Sequence, residues 1–335
     1  MTHRIRLLPS GREFEAEAQE TLLDAALRNG VNIPYNCSGG SCGVCKARLI
    51  SGHVDHPRFH DYVFSEADKA QGKLLLCSVS AGSDLVLEVN EIGDAAQIPL
   101  QQVSTRVVHI ERVGGHYVIL TLRTPRSQTL QFLAGQHVEL RLDNGMSCDA
   151  AIASCPCNGM LLQFHLEQRS DEDFPRHVFQ KLRVNDVVQV AGPFGNFTLD
   201  EGSRRPIVMV AQDTGFAPLK SLLEHALALE LSQPITLFWA SAYDDGFYMA
   251  NLCRSWVDAL DNFSYQPLYL EGGGEAVTAE IIAGSIMAVE QCDFYLATGA
   301  ALREGLFKSL AAHGAVADRI FAMEKRQCGM HGSLP

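Results

Sequence analysis

The chain has 335 residues, 47% of them hydrophobic and 20% charged, which is enough for two or three domains with ordinary apolar cores. Its formal net charge of −12 excludes a general nucleic-acid binder, because a phosphate backbone would repel it, and favours a basic protein partner. No apolar run reaches the roughly 18–20 residues that a membrane span needs. The first residues enter a strand-like pattern without an apolar signal region. We therefore expect a protein of the reducing cytoplasm with no membrane span.

Residues 1–93 have the pattern of a small sheet with one main helix. A threonine cap, apolar residues at helical spacing and a final glycine predict a helix over residues 21–30. Ser65 marks the start of a second, shorter helix. Alternation of apolar and polar residues predicts strands at residues 5–7, 14–16, 45–50, 74–77 and 84–89.

Four cysteines in this part have the spacing of an iron–sulfur site. Cys37, Cys42 and Cys45 follow one another as C-x4-C-x2-C, and Cys77 lies far along the chain, which is the plant-type [2Fe–2S] arrangement. Glycines between the cysteines allow backbone amides to approach the cluster sulfides. The alternatives are structural zinc, which usually needs two C-x2-C knuckles where this chain has one, and disulfides, which need an oxidising compartment.

The remaining metal-ligand residues do not form a pattern. His53, His56 and His60 lie in a polar loop, and we expect them to be solvated. Cys328 and His331 near the end are too few to bind a metal by themselves, so we expect a flexible terminus there. The other cysteines show no ligand spacing: Cys148, Cys155, Cys157, Cys253 and Cys292.

Residues 94–202 begin with a linker-like stretch at 94–100 and continue as many short strands broken by glycine. This pattern predicts a small antiparallel barrel with one helical segment at residues 178–182. The predicted strands are 103–110, 117–122, 132–140 and 187–197.

Residues 203–335 alternate strands with helices, which predicts an open parallel sheet whose ligands bind beyond the carboxyl ends of the strands. The turn at residues 212–218 follows the first strand and is the expected dinucleotide site. The predicted strands are 206–211, 235–240, 265–270 and 294–297, and the predicted helices are 219–231 and 302–312.

These motifs together resemble a known family. The first part resembles the β-grasp fold of plant-type ferredoxins, while Gly135-Gln136, the turn 192–195 and the segment 206–231 resemble the ferredoxin–NADP reductase superfamily. The order of the parts is similar to the reductases of multicomponent oxygenases and to CDP-6-deoxy-glucoseen reductase-like proteins. The resemblance implies a ferredoxin domain at 1–93, a flavin-barrel-like domain at 94–202 and an NAD(P)-binding-like domain at 203–335.

The chain departs from this family at the flavin contacts. The family's Arg-x-Tyr/Phe-Ser signature, which holds the pyrophosphate and the ring of FAD, is replaced by Cys148, Ala150 and Ala151. The family's Gly-Gly-x-Phe-Ser/Thr phosphate turn is replaced by the segment Asp171–Pro175, in which three carboxylates and a proline would face the phosphate.

The dinucleotide contacts depart in the same way. Gln212 and Asp213 stand in the family's glycine-rich turn, Thr298 replaces the cysteine that faces the nicotinamide, and Lys325 replaces the terminal aromatic residue. Loss of an arginine–phosphate contact costs about 1.5–3 kcal/mol, and loss of an aromatic stack costs roughly 0.5–1.5 kcal/mol more. We therefore expect that the family mode of FAD and NAD(P) binding is lost.

The sequence thus predicts a one-electron [2Fe–2S] carrier that serves a partner oxygenase or other redox enzyme, with a reductase-like body kept for docking. The first alternative is an active NAD(P)H-dependent reductase that holds FAD through other contacts and serves an oxygenase or a deoxysugar dehydratase. A second alternative is a regulator that senses redox state through the cluster.

Overall fold

The computed structural model describes residues 2–55, 58–125, 127–168, 173–270 and 274–323. These residues form three main sheets, each with its own apolar core, in the order predicted from the sequence. The β-grasp part, the antiparallel barrel and the parallel-sheet part are confirmed.

The first sheet is mixed and covers one main helix. Thr21 caps α1 by accepting a hydrogen bond from the Asp24 amide, and Ser65 caps α2 in the same way, as predicted. The strand order is β2-β1-β7-β3-β5, with β1 and β7 parallel and the other pairs antiparallel. The elements are β1 (Thr2–Leu8), β2 (Glu13–Glu17), α1 (Leu22–Arg28), β3 (Lys46–Ser51), β4 (Val54–Asp55), α2 (Glu66–Ala70), β5 (Lys73–Leu75), β6 (Ser80–Ala81) and β7 (Leu85–Glu88).

The second sheet curls into a nearly closed barrel of six antiparallel strands. Its elements are β8 (Gln101–Val113), β9 (Tyr117–Arg123), β10 (His137–Arg141), β11 (Ser147–Ala151), β12 (Leu161–Glu167), α3 (Asp173–Gln180) and β13 (Val187–Phe194). The strand order is β11-β10-β13-β8-β9-β12, and a bridge between Ile152 and Phe164 joins the two edge strands. Several boundaries differ from prediction: β10, for example, begins only at His137, because a turn precedes it, and α3 begins at Asp173, before the predicted segment. The strands β11 and β12 were not predicted.

The third sheet is fully parallel, with the order β16-β15-β14-β17-β18. Its elements are β14 (Ile207–Gln212), α4 (Phe216–Ala228), β15 (Ile235–Ser241), α5 (Ala250–Ala259), β16 (Phe263–Tyr269), α6 (Glu275–Ser285), β17 (Asp293–Ala297), α7 (Ala300–Ala312) and β18 (Ile320–Ala322). The strand order reverses between β14 and β17, so the crevice for a ligand lies where the turns after these two strands meet.

Polar contacts fix the first sheet on the other two parts. Gln131 Nε2 in the barrel donates to the Ile33 carbonyl oxygen at 2.9 Å, and the Thr129 amide donates to the Asn36 carbonyl oxygen at 2.9 Å. Arg12 Nη2 lies 2.8 Å from Glu201 Oε2, next to the parallel sheet. None of the helices in the described ranges combines the length and the apolar character that crossing a lipid bilayer requires.

Candidate functional site

The four predicted cluster cysteines lie together as two pairs. Cys37, Cys42 and Cys45 occupy the loop between α1 and β3, and Cys77 follows β5. Cys45 Sγ and Cys77 Sγ are 3.3 Å apart, which is well beyond the length of about 2.05 Å of a disulfide. Cys37 Sγ accepts the amides of Ser41 at 3.4 Å and of Cys42 at 3.3 Å.

The chemistry of these thiols suits a cluster. Burial raises the pKa of Cys37, but hydrogen bonds from Ser41 and the neighbouring amides outweigh it and lower the pKa to about 6. In the described part of the chain, no three or more His, Cys, Asp or Glu side chains are close enough to hold one metal ion. Two pairs of thiols are the arrangement that a [2Fe–2S] cluster needs, because its four cysteine ligands are shared between two irons.

The segment before α2 packs over the cysteine loop. Gly40 and Gly43 both have positive φ, at 80° and 74°. A Cβ on Gly40 would lie 2.5 Å from His60 Cβ, and a Cβ on Gly43 would lie 2.2 Å from the Tyr62 ring. The Tyr62 amide also donates to the Gly40 carbonyl oxygen at 3.1 Å. Only glycine fits at these two positions. The prediction that His60 is solvated is wrong, because its Nδ1 atom is buried against the loop. His53 is exposed as predicted, and His56 lies outside the described residues.

The three flavin-signature positions lie on β11. Cys148 and Ala150 are almost fully buried and belong to the apolar core of the barrel, and Ala151 is partly buried. None of the three side chains supplies a cation, an aromatic ring or a hydroxyl group. These positions therefore do not fit the contacts by which the family holds FAD.

The second phosphate element is only partly described. Asp173 and Pro175 lie in the first turn of α3. Asp173 places a carboxylate there, and Pro175 has no amide hydrogen to donate to a phosphate. Asp171 and Glu172 lie outside the described residues, as do Lys325, Cys328 and His331.

The side chain of Asp213 fills the turn after β14 that was predicted to bind a dinucleotide. Asp213 is buried, and its φ of 51° is a left-handed conformation that glycine adopts easily. Ser241 Oγ donates to Asp213 Oδ1 at 2.7 Å, and the Tyr117 hydroxyl donates to the same oxygen at 3.2 Å. Trp239 Nε1 donates to the Asp213 carbonyl oxygen at 3.1 Å. A carboxylate held in this place does not fit a dinucleotide phosphate.

The neighbouring turn after β17 completes the crevice. Gln212 Oε1 accepts the Gly299 amide at 2.9 Å, so the glutamine side chain occupies the N-terminus of α7. Thr298 is buried, and its Oγ1 has no hydrogen-bond partner among the residues that the structure describes. The structure therefore brings Gln212, Asp213 and Thr298 to the same crevice.

Aromatic residues that the sequence did not single out cover this turn. The Tyr117 and Tyr248 rings stack with centroids 4.8 Å apart, and the Tyr248 hydroxyl is 3.0 Å from His165 Nδ1. Burial, followed by the charge of Asp213, raises the pKa of Tyr117, so the tyrosine stays protonated and donates. No local sequence signal links these residues, because they come from the barrel and from the parallel-sheet part.

Comparison with known proteins agrees with the first sheet and with the whole architecture. Residues 5–82 match the family described as the 2Fe-2S iron-sulfur cluster binding domain, and this range contains all four cluster cysteines. The chain is 33% identical over 268 residues to the CDP-6-deoxy-L-threo-D-glycero-4-hexulose-3-dehydrase reductase of Yersinia pseudotuberculosis, covering 80% of each protein.

Two further proteins have similar sequence or structure. The terephthalate 1,2-dioxygenase reductase component 1 of Comamonas is 27% identical over 286 residues, which cover 85% of this chain and 84% of that protein. The crystal structure of the cytochrome P450 reductase GcoB of Amycolatopsis superposes with a TM-score of 0.61 at 23% identity, covering 96% of this chain and 98% of that chain.

The cysteine pairs, the three-part architecture and the extended similarity lead to one assignment. The chain belongs to the family of ferredoxin-containing reductases, built on the ferredoxin–NADP reductase fold, that includes the CDP-6-deoxy-hexulose dehydrase reductase and the oxygenase reductase components.

Proposed function

We propose that the protein is the [2Fe–2S] component of an oxygenase or deoxysugar dehydratase system and passes single electrons to its partner enzyme. The observation that carries this proposal is the pairing of Cys37 with Cys42 and of Cys45 with Cys77 in a loop lined by backbone amides. A bound [2Fe–2S] cluster supplies one-electron redox chemistry. The residues of the loop hold the four thiolates and direct amide hydrogens at their negative charge.

A cysteine substitution tests the ligand assignment. Cys42→Ser is expected to remove most of the iron and acid-labile sulfide from protein purified without oxygen, because one of four ligands is lost. Cys292→Ser is the control, since Cys292 is a free cysteine outside the cluster loop: it is buried and lies far along the chain, before β17. Tightly bound zinc without labile sulfide in the unmodified protein would contradict the proposal.

The source of the electrons separates two forms of this function. In the first, the protein is an active NAD(P)H-dependent reductase; the comparisons favour this form, because the similar proteins of comparable length are named as reductases or reductase components. The buried Oγ1 of Thr298, without a described partner in the crevice, is also compatible with a ligand there.

The second form is a carrier that receives its electrons from another protein, which is the form expected from the sequence. The occupied turn supports it: Asp213 is buried and hydrogen-bonded where a dinucleotide phosphate would need glycine backbone. The residues Cys148, Ala150 and Ala151 support it as well, because they offer FAD no charge, ring or hydroxyl group. In this form the reductase-like body is a docking surface.

One experiment decides between the two forms. The purified protein is incubated with excess FAD, its flavin stoichiometry is measured, and NADH or NADPH is then supplied with an artificial electron acceptor. The carrier form predicts less than stoichiometric flavin and negligible turnover. Stoichiometric flavin with turnover on the order of 1–1,000 per second establishes the reductase form. Neither result bears on the cluster ligands, which the Cys42→Ser variant tests separately.

A further inference from the structure

Two cysteines outside the cluster lie on either side of one proline in the barrel. Cys155, Pro156 and Cys157 form the start of a single helical turn between β11 and β12. The Cys157 amide donates to Cys155 Sγ at 3.3 Å, and the two thiols are close enough for each to shift the pKa of the other. Cys155 is buried, whereas Cys157 is partly exposed. The turn therefore holds a close pair of thiols, of which one can be reached from solvent.

An ion pair between buried Lys220 and partly exposed Glu224 lies next to this turn. Lys220 Nζ donates to the Ala153 carbonyl oxygen at 3.1 Å and to Glu224 Oε1 at 2.5 Å. The second oxygen of Glu224 accepts the Cys155 amide at 3.0 Å. These contacts fix the backbone of the cysteine turn against α4 and bring a positive charge near the thiols.

The two thiols differ in the way that thiol–disulfide exchange requires. A hydrogen bond from Cys155 is the largest influence on Cys157 and lowers its pKa; burial and the charge of Glu224 oppose this effect, and the charge of Lys220 adds a smaller lowering. The same hydrogen bond, together with burial, raises the pKa of Cys155. Reactive cysteines are partly exposed and have a lowered pKa, so Cys157 suits the attacking role and Cys155 the resolving role.

We propose that Cys155 and Cys157 form a reversible thiol–disulfide exchange site whose oxidant is a low-molecular-weight disulfide. The Cys157 thiolate attacks one sulfur of that disulfide, a mixed disulfide forms, and the other half leaves as a thiolate that takes up a proton. The Cys155 thiol then loses its proton and attacks the Cys157 sulfur, which releases the second half as a thiol. Two cysteine thiols are oxidised to one disulfide, and one small disulfide is reduced to two thiols.

The cysteine pair lies close to the ferredoxin part of the chain. Pro156 lines a small cavity together with Leu27 and Tyr35 of the ferredoxin part. Tyr35 lies two residues before the cluster ligand Cys37. The exchange site therefore lies at the contact between the barrel and the part of the chain that holds the cluster.

The test uses the whole protein with its cluster intact. The protein is incubated without oxygen with oxidised glutathione, free thiols are then alkylated, and the peptide that contains both cysteines is analysed by mass spectrometry. We expect a Cys155–Cys157 disulfide that dithiothreitol reverses. In Cys155→Ser we expect glutathione to be trapped on Cys157, and in Cys157→Ser we expect Cys155 to remain a free thiol. Cys292→Ser, which leaves the pair in place, is expected to behave as the wild type.

Three results would overturn the proposal. They are free Cys155 and Cys157 in the treated wild-type protein while its cluster is intact, trapping of glutathione on Cys155 rather than Cys157, and a disulfide from either residue to a different cysteine. The first result is read on the wild-type protein alone, so the proposal stays testable even where a serine variant fails to fold.

Discussion

Substitution of Asp213 tests the description of the occupied turn. Removal of the carboxylate in Asp213→Ala leaves the buried hydroxyls of Tyr117 and Ser241 without their acceptor. Each hydroxyl left without an acceptor costs about 1–3 kcal/mol of unfolding free energy. Removal of the buried carboxylate charge offsets part of this cost, so we expect the unfolding free energy to fall by about 1–4 kcal/mol. An alanine must also adopt φ = 51°, which costs an L-residue roughly 1–2 kcal/mol.

A series of variants separates these two effects. Asp213→Gly loses the same hydrogen bonds without the backbone strain, but glycine adds about 0.4–1 kcal/mol of chain entropy to the unfolded state, so it should be about 1 kcal/mol more stable than the alanine variant. Asp213→Asn keeps an acceptor oxygen and tolerates the left-handed conformation. We therefore expect stability to fall in the order Asn, Gly, Ala.

Urea unfolding followed by tryptophan fluorescence measures this order. The chain has two tryptophans, and Trp239 donates directly to the Asp213 carbonyl oxygen, so the signal reports this part of the fold. Asp258→Ala, at an exposed position of α5, is the control and should change stability by less than about 0.5 kcal/mol. An alanine variant as stable as the asparagine variant would refute both the strain and the hydrogen bonds.

Two further predictions concern charge. Reduction of the cluster by a generic ferredoxin reductase should slow as salt is raised from about 0.1 M to about 1 M, because the screening length falls from about 10 Å to about 3 Å and the protein carries a charge of −12. A rate of cluster bleaching that is independent of salt would count against electrostatic docking. Burial, followed by the charge of Lys220, holds the pKa of His165 well below its usual range. The unfolded chain then binds a proton that the folded chain does not, so stability should fall by about 1.4 kcal/mol per pH unit below the ordinary histidine pKa of about 6.5. Urea unfolding between about pH 7.5 and about pH 5.5 should show this fall below about pH 6.5 in the wild type and a smaller fall in His165→Asn, and equal falls would contradict the assignment.

The sequence by itself determined the features that depend on nearby residues. The spacing of Cys37, Cys42 and Cys45 fits three ligands into one loop, and threonine and serine caps mark the starts of α1 and α2. Alternation of strands and helices was sufficient to predict the parallel sheet. These signals are local, since capping, periodicity and ligand spacing act over a few residues.

The tertiary structure decided which distant residues complete each site. Tyr117 donates to Asp213 across 96 positions of the chain, a contact that no sequence pattern indicated, whereas the meeting of Cys45 with Cys77 across 32 positions was expected from the cysteine pattern. The segment that covers the cysteine loop was predicted as a solvated loop, because nothing in the spacing of His60 or Tyr62 indicates the two glycines beneath them. The turn of Cys155 and Cys157 had no ligand spacing, and only folding brings Lys220 beside it. Contacts of this kind depend on how sheets and helices pack against one another, and packing joins residues that share no local pattern in the sequence.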